Sequence, residues 1–379
     1  MATIEEQHTP LHAEHETLGA TFTDFAGWRM PLRYSGDLAE HHAVRTAAGL
    51  FDLSHMGEIR VVGPDAAQAL DRALVVDASA IGVGRARYTV LCAPDGGILD
   101  DLIVYRLAEQ EYLVVANAAN APLVAAELTE RAAGDRAAVV DATAEFALIA
   151  VQGPAAAAIL APLCSADLPA LRYYASLTAT VAGSPVLLAR TGYTGEEGFE
   201  LFAAPDAAPA LWEALLEAGR GDGLLPAGLA CRDTLRLEAG MPLHGHELHA
   251  GVTPFHAGLG RVVNVDKPGD FVGRAALAAV AESGPAQVLV GLLGDSRRSP
   301  RHGHPVLDPE TGATLGAVTS GAPSPTLGRP IAMAYVAPGH AAPGTRLVVD
   351  VRGRPEPVTV VELPFYRRPS PTPATAKAG

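Results

Sequence analysis

A glycine-rich stretch carries residues suited to binding a flat polar ring. Residues 190–201 (RTGYTGEEGFEL) contain three glycines within seven positions, so the backbone can turn sharply and approach a ligand closely. Glu200 follows on a short predicted strand, where alternation turns it away from Phe199 and Leu201. Its carboxylate, with Tyr193 nearby, is suited to a ring rich in hydrogen-bond donors. A glycine hairpin with Glu200 on the solvent face of an edge strand fits the pattern equally well.

Two adjacent carboxylates form the second reactive pattern. Asp100 and Asp101 interrupt the start of an apolar strand that follows a predicted hairpin turn at 95–97. Side chains alternate along a strand, so the two carboxylates point to opposite faces and cannot share one proton as a dyad. One of them can face solvent while the other faces a pocket. Alternatively, both lie in water at the strand end, although aspartate is depleted in strands.

Arg232 and Arg236 share one side of a helix predicted over 223–238. An arginine among apolar neighbours can form a two-pronged hydrogen bond with a carboxylate in a pocket. An internal salt bridge with Asp233 or Glu238 is the alternative. The sequence leaves both open.

The residue types and spacings argue against a phosphate-binding site and against a metal site. The glycine loop lacks a Gly-Lys-Ser/Thr ending, and Glu196 and Glu197 would repel phosphate. The histidines of 244–249 (HGHELH) miss the i, i+4 spacing of a zinc helix. Neighbouring His41 and His42 do not face one site on a helix. We therefore expect no metal site.

Length and composition limit the class of protein. A chain of 379 residues with 49% hydrophobic residues predicts two or three globular domains. A net charge of −14 argues against binding to nucleic acid or to an anionic membrane surface. Three scattered cysteines indicate a reducing compartment. Neither a signal peptide nor a membrane span is visible, so we expect a cytoplasmic protein.

The elements that must position these residues follow from periodicity. A helix is predicted over 38–48, ended by Gly49, and a strand signal runs over 50–62. The order strand, helix, three strands, helix up to residue 133 predicts an antiparallel sheet with helices on one face. From about residue 287, short strands with Gly/Pro turns predict a separate all-β domain. The Pro/Ala/Thr-rich tail, 369–379, is expected to be disordered.

Taken together, six runs of sequence resemble one family, the aminomethyltransferase or T-protein family of the glycine cleavage system. They occur in the family's order and the likeness covers roughly residues 8 to 367. The runs are DFAGW (24–28), FDLSHM (51–56), GGILDD (96–101), GYTGEEGFE (192–200), GLACRDTLRLEAG (228–240) and VTSGAPSP (318–325).

The resemblance implies an α+β fold in which three domains form a ring around a central folate channel. The first domain would be discontinuous, comprising 1–50 and 146–284. An α+β domain, 51–145, would be inserted into it, and 285–368 would form a C-terminal β-barrel domain.

The resemblance also implies the reaction. An aminomethyl group on the dihydrolipoyl arm of lipoylated H-protein would pass to tetrahydrofolate, giving ammonia, 5,10-methylene-tetrahydrofolate and reduced H-protein. The partners would be H-protein, bound transiently, and the other glycine cleavage components. Asp101 would be the catalytic carboxylate, orienting the folate amine and accepting its proton. Positions that match the family's folate and substrate pocket are Met56, Tyr88, Asn117, Tyr173, Tyr193, Glu200, Arg232 and Arg367.

The chain departs from the family pattern at two histidines. His244 stands where a tyrosine is frequent, and His256 where a glutamate is frequent. Relatives of the same fold include folate-dependent demethylases and a folate-binding iron–sulfur maintenance protein. The Lys-Gly-Cys-Tyr motif of the latter is absent, since 190–193 reads RTGY. A demethylase and a non-catalytic folate-binding protein are therefore the alternatives.

Overall fold

The computed structural model describes residues 6–369. Except for Pro369, the tail expected to be disordered lies outside these residues. The helices are α1 His12–Thr17, α2 Asp37–Thr46, α3 Ala66–Ala73, α4 Ala121–Arg131, α5 Ala156–Leu160, α6 Ala208–Gly219, α7 Leu229–Glu238 and α8 Arg274–Ser283. The strands are β1 Thr21–Phe25, β2 Trp28–Arg33, β3 Ala48–Asp52, β4 Gly57–Val62, β5 Arg85–Cys92, β6 Ile98–Ala108, β7 Glu111–Ala116, β8 Ala138–Asp141, β9 Ala147–Gln152, β10 Ser176–Val181, β11 Ser184–Ala189, β12 Gly198–Ala203, β13 Leu224–Pro226, β14 Val288–Gly294, β15 Pro305–Leu307, β16 Thr314–Ser324, β17 Arg329–Val336, β18 Arg346–Asp350 and β19 Pro355–Val361.

A six-stranded sheet in the order β10-β11-β12-β9-β3-β13 forms the centre of the first unit. Its pairs are antiparallel except for the parallel pair of β13 with β3. Helices α5 and α6 pack on one face through Ile159, Leu211 and Trp212. Because β12 lies between β11 and β9, the strand that carries Glu200 is an interior strand.

The segment between β3 and β9 forms a second, antiparallel sheet in the order β5-β6-β7-β4-β8. Helices α3 and α4 cover one face, where Leu70 and Leu128 pack with Ile59 and Val104. The prediction of an antiparallel sheet with helices on one face is confirmed. The opposite face turns towards the first unit.

The last six strands close into a barrel in the order β14-β17-β16-β15-β18-β19. Alternate side chains, including Val290, Val318 and Val349, fill its interior. The predicted C-terminal β-barrel is therefore confirmed.

The first unit contacts each of the other two. Phe51 of the first unit packs with Tyr105 and Val115 of the second. Leu237 of α7 packs with Met333 of the barrel. A further cluster combines residues of the second unit, the 248–277 segment and Tyr335 of the barrel. The functional side chains lie where the first two units meet.

Three local predictions were wrong in their boundaries. The strand signal over 50–62 contains two strands of different sheets, separated by a turn at 53–56. Gly49 does not end a helix but lies in β3, where a Cβ would meet Val44 Cγ2 at 2.4 Å. The predicted helix over 223–238 is strand β13 followed by α7. In each case the pairing of strands that are distant in the chain, rather than local periodicity, decided the boundary.

Candidate active site

Strand β6 carries both aspartates on opposite faces, as alternation predicts. Asp100 shares its face with Leu102, which packs under the helices of the second unit. Asp101 shares its face with Ile103 and Tyr105, which pack towards the first unit. Asp101 therefore faces the junction of the two units.

Two neutral donors hold the Asp101 carboxylate. The Tyr88 hydroxyl donates to Oδ2 at 3.0 Å, and Asn117 Nδ2 donates to Oδ1 at 2.8 Å. Burial raises the pKa of Asp101, and these two hydrogen bonds oppose the shift. Burial also raises the pKa of Tyr88, which stays a neutral donor. A carboxylate held without a cationic partner keeps more of its basicity than a salt-bridged one.

Asp100 does not face solvent, which settles the alternatives left open by the sequence. Its side chain is fully buried and accepts from the Asn117 backbone N–H at 3.0 Å. Asn117 Nδ2 donates to its Oδ1 at 2.9 Å, and Asn120 Nδ2 at 2.6 Å. Burial, followed by the nearby charge of Asp101, raises the pKa of Asp100 to about 7. Asn117 thus touches both carboxylates from one amide.

Glu200 lies buried on the interior strand β12, so the alternative of a wet edge strand is wrong. Thr191 Oγ1 donates a short hydrogen bond to Oε2, and the Tyr105 hydroxyl donates to the same atom at 3.3 Å. Burial raises the pKa of Glu200, while these donors and the charge of Arg232 lower it. The carboxylate is thereby fixed in orientation, and its second oxygen, Oε1, has no hydrogen bond among residues 6–369.

Strand β6 sets the spacing between the two acidic positions. Asp101 and Tyr105 stand four residues apart on the same face, a separation of roughly 13 Å along the strand. Since Tyr105 reaches Glu200, the two carboxylates belong to one site that spans both units. A ring system with a side arm fits between groups at this spacing.

Arg232 provides a cation beside Glu200. Its guanidinium lies 4.9 Å from the centre of the Tyr193 ring, and within residues 6–369 its side chain makes no hydrogen bond or ion pair. Arg236, one turn later, is buried against Glu247 at 3.0 Å and Asp233 at 2.8 Å. Arg236 therefore forms the internal salt bridge, with Asp233, whereas Arg232 is an uncommitted cation whose contact with a carboxylate in a pocket stays a prediction.

The glycines of the central loop enclose another side chain rather than lining a ligand surface. A Cβ at Gly192 or Gly198 would meet the Gln152 amide at 2.1–2.2 Å. Gln152 donates to Thr191 O at 3.1 Å and accepts from Thr194 Oγ1 at 3.0 Å. The backbone does approach another group closely, but that group is Gln152, and a close approach to a ligand stays a prediction. The loop is thus a rigid support for Thr191 and hence for Glu200.

A cleft of about 900 Å³ opens between the second unit and residues 261–264. Tyr88 and Tyr174 line its inner part, so it reaches the donor of Asp101. Arg85, Arg87 and Arg261 line it as well. A chain with a net charge of −14 therefore places three cations around one cleft.

Comparison with known proteins identifies the family. The family model described as the GCVT N-terminal domain matches residues 11–267, and that of the glycine cleavage T-protein C-terminal barrel domain matches residues 287–367. The chain is 68% identical over 362 residues to an aminomethyltransferase of Saccharopolyspora erythraea, covering 96% of this chain and 98% of that protein. The chain belongs to the glycine cleavage T-protein family.

Further relatives agree with this membership. An aminomethyltransferase of Streptomyces avermitilis is 64% identical over 372 residues, which is 97% of this chain and all of that protein. The crystal structure of glycine cleavage system aminomethyltransferase T from Bartonella henselae superposes with a TM-score of 0.89 at 40% identity, covering 96% of this chain and 99% of that one. In the described residues, as in the sequence, no helix has the length and apolar character needed to span a membrane.

Most candidate residues of this T-protein family chain lie at the junction of the first two units. Tyr88, Asn117 and Asp101 form one group, and Tyr193, Glu200 and Arg232 are neighbours in another. Met56 packs against the apolar cluster between the two units. Tyr173 is 48% exposed and stacks edge-on against Tyr174.

Arg367 lies apart from these groups. It is exposed and donates to Leu363 O at 3.4 Å. The adjacent Arg368 pairs instead with Glu197 of the glycine loop at 2.7 Å, and its charge lowers the pKa of Tyr173 against the larger effect of burial. These contacts favour Arg368 as the C-terminal arginine near the site, one residue beyond the predicted position.

Four residues of the site were not predicted from the sequence. Tyr105 and Thr191 hold Glu200, Gln152 supports the loop, and Asn120 holds Asp100. The alternation of β6 offered one usable signal, because Tyr105 must share the face of Asp101. The other three depend on contacts that local periodicity does not reveal.

Proposed function

We propose that this chain catalyses the tetrahydrofolate-dependent transfer of an aminomethyl group from the lipoyl arm of H-protein. The observation that carries the proposal is Asp101, whose carboxylate is held by two neutral donors, one of which, Tyr88, lines an open cleft. Family membership, with relatives named aminomethyltransferase, supports the same reaction. The aminomethyl carbon loses its bonds to sulfur and nitrogen, so ammonia and the dihydrolipoyl thiol are released. Nothing in this exchange requires a metal ion.

The residues present fit a reduced pterin. A pterin edge offers N–H donors, and Glu200 presents one carboxylate oxygen that no described residue satisfies. Arg232 supplies a cation with no protein partner among residues 6–369, next to the flat face of Tyr193. Glu200, Tyr193 and Arg232 would hold the ring, and Tyr88, Asn117 and Met56 would line the pocket further along β6. When bound, tetrahydrofolate supplies the two nitrogens that accept the carbon.

In this proposal, Asp101 is the group that accepts the proton. Its Oδ2 accepts from Tyr88, which lines the cleft, so the carboxylate lies close enough to orient an amine and take its proton. The pKa raised by burial makes it a better acceptor than a solvent-exposed aspartate. Its negative charge also stabilises the cationic character that develops at the carbon as nitrogen leaves.

The cleft serves as the entrance for the lipoyl arm. Arg85, Arg87 and Arg261 around it would meet acidic groups on H-protein and hold it transiently, while the neutral arm passes inwards to Tyr88. The cysteines Cys92, Cys164 and Cys231 carry free thiols, which supports a reducing compartment, and the proposed location is the cytoplasm.

The three units correspond to proposed domains. Sheet membership supports limits of 1–50 with 146–284, 51–145 and 285–368, because the chain leaves the first sheet after β3 and returns to it at β9. Strand β3 ends at Asp52, two residues beyond the proposed limit.

The test is release of ammonia from aminomethylated H-protein. We expect the purified chain to release ammonia and form methylene-tetrahydrofolate in equal amounts, only when tetrahydrofolate is added. H-protein carrying a methyl group in place of the aminomethyl group serves as the matched substrate and should not react. Folate binding without ammonia release would overturn the proposal and leave a folate-binding protein.

A further inference from the structure

A chain of polar contacts continues behind Asp101, away from the cleft. Asn117 Nδ2 lies 2.8 Å from Asp101 Oδ1 and 2.9 Å from Asp100 Oδ1. Asn120 Nδ2 lies 2.6 Å from the same Asp100 oxygen and 3.0 Å from His244 Nδ1. Three side chains thus connect Asp101 to a histidine on a different segment of the chain.

When both aspartates are ionised, the donors in this chain have one consistent arrangement. If the Asn117 amide were turned over, its oxygen would face two carboxylates, so the NH₂ group must point at both aspartates. The same reasoning directs the Asn120 NH₂ group to Asp100. His244 Nδ1 must then accept, which makes His244 a neutral ring protonated at Nε2. Burial lowers the pKa of His244, in agreement with the neutral form.

The segment carrying His244 is attached to both halves of the site. The Tyr193 hydroxyl donates to Pro242 O at 2.5 Å, which links the segment to the glycine loop. The Ile98 backbone N–H donates to Val252 O at 3.0 Å, which links it to the start of β6. His244 is therefore held at a set position relative to Asp100.

We propose that Asp100, Asn120 and His244 form a positioning relay that orients the Asn117 amide and, through it, the Asp101 carboxylate. The relay touches no substrate and acts through Asn117. This inference rests on the proposed function, because it assigns how the catalytic carboxylate of that reaction is held. It also explains why a carboxylate is buried at Asp100, where three N–H groups converge on it.

The relay matters because Asn117 alone does not fix its own orientation. Asn117 Nδ2 carries two hydrogens and faces two carboxylates and one backbone carbonyl. Loss of the fixed acceptor at Asp100 would let the amide rotate and release Asp101 from one of its two donors. Misplacing a reacting group by about 1 Å can lower turnover by up to roughly 10²-fold.

The experiment compares variants of one histidine with a matched control. His244→Phe keeps a ring but removes the acceptor, whereas His244→Asn places an amide oxygen close to the position of Nδ1. His256→Phe is the control, since His256 is half-buried in the same region and its Nδ1 bonds to Thr253, away from the relay. For each protein we would measure kcat for ammonia release, the dissociation constant of tetrahydrofolate and hydrogen exchange of the Asn117 backbone amide without ligand.

We expect His244→Phe to lower kcat by about 10-fold, with folate affinity unchanged within about 2-fold and faster exchange at Asn117. His244→Asn should recover most of the turnover, and His256→Phe should resemble the unmodified chain. Equal kcat and equal exchange in the two phenylalanine variants would overturn the relay. An unmodified chain that releases no ammonia would instead overturn the proposed function, and the exchange measurement would still decide whether the relay exists.

Discussion

At the scale of single residues, the site depends on carboxylates held by neutral donors. Asp101 accepts from a phenol and an amide, and Glu200 accepts from two hydroxyls. Burial raises the pKa of both groups. Such carboxylates are oriented without being neutralised, so each remains able to interact with a donor on a ligand.

Exchanging each aspartate for asparagine separates catalysis from positioning. Asp101→Asn should lower turnover by at least about 10²-fold, because it removes the proton acceptor while keeping the volume. Asp100→Asn should cost only about 10-fold, since one acceptor oxygen remains for the converging N–H groups. Steady-state ammonia release checks both values. Equal and small effects would remove Asp101 from the catalytic role, and a larger effect at Asp100 would reverse the assignment of the two faces.

The raised pKa of Asp100 predicts a pH-dependent stability. Its pKa is 3.8 in the unfolded reference and about 7 in the folded chain, so the folded state holds the proton more tightly. This contribution is complete below about pH 4 and is lost as the pH rises through 7. The difference in unfolding free energy between the unmodified chain and Asp100→Asn should therefore shrink from pH 4 to pH 7, measured by urea unfolding.

Asp65→Asn is the control for that measurement. Hydrogen bonds from Arg136 lower the pKa of Asp65 to about 2, so Asp65 titrates below this window. Its contribution should stay constant between pH 4 and pH 7. A parallel pH dependence in both variants would contradict the assignment to Asp100.

At the scale of elements, β6 and the glycine loop do most to build the site. Strand β6 presents Asp101 and Tyr105 on one face, and Tyr105 reaches Glu200 in the other unit. The loop before β12 is closed around Gln152, so its shape is set by packing rather than by freedom of the backbone. One rigid strand and one supported loop therefore determine the distance between the two carboxylates.

Adding a methyl group to the loop should disturb both folding and binding. In Gly198→Ala the new Cβ would lie within 2.2 Å of Gln152 Nε2, which predicts a loss of roughly 1–3 kcal/mol in unfolding free energy. Folate affinity should fall as well, because Thr191 and Glu200 move with the loop.

Gly221→Ala provides the matched control, because its Cβ would meet nothing within 4 Å. Urea unfolding and calorimetric folate titration of the two variants make the comparison. Equal stability would show that Gln152 moves aside without cost.

At the scale of the whole molecule, the ring places one cationic cleft on an acidic protein. The first unit packs against both of the others, so the cleft and both carboxylates keep their relative positions. Of the arginines around the cleft, Arg85 donates to Tyr173 O at 3.1 Å, whereas Arg87 and Arg261 are exposed. They are suited to a transient encounter with a charged partner.

Removing these charges should weaken the binding of H-protein and leave folate binding unchanged. Arg87→Ala combined with Arg261→Ala should raise the KM for aminomethylated H-protein by roughly 5-fold, equivalent to about 1 kcal/mol. The folate dissociation constant should not change, and added salt should reduce the difference. Arg354→Ala, an exposed arginine of the barrel, is the control. An unchanged KM in the double variant would place the entrance for H-protein elsewhere.

Local periodicity determined much of the fold. Alternation along β6 correctly separated the faces of Asp100 and Asp101, and short strands with Gly/Pro turns correctly predicted an all-β C-terminal domain. Both features arise between neighbouring residues, since side-chain direction and turn geometry follow from backbone dihedrals within a few positions. The motif runs identified the family for the same reason, because each is contiguous in the chain.

Only the tertiary structure decided what surrounds each reactive side chain. From the sequence, Glu200 could lie either on the solvent face of an edge strand or in a pocket. The pairing of β12 with β9 makes β12 an interior strand and buries Glu200. Tyr105 lies 95 residues from Glu200 in the chain, and Asn120 lies 124 residues from His244. Local periodicity cannot predict such contacts, because they form when distant strands pair and pack. The residue types therefore indicated the chemistry, while burial and long-range partners decided which carboxylate faces the cleft and what holds it.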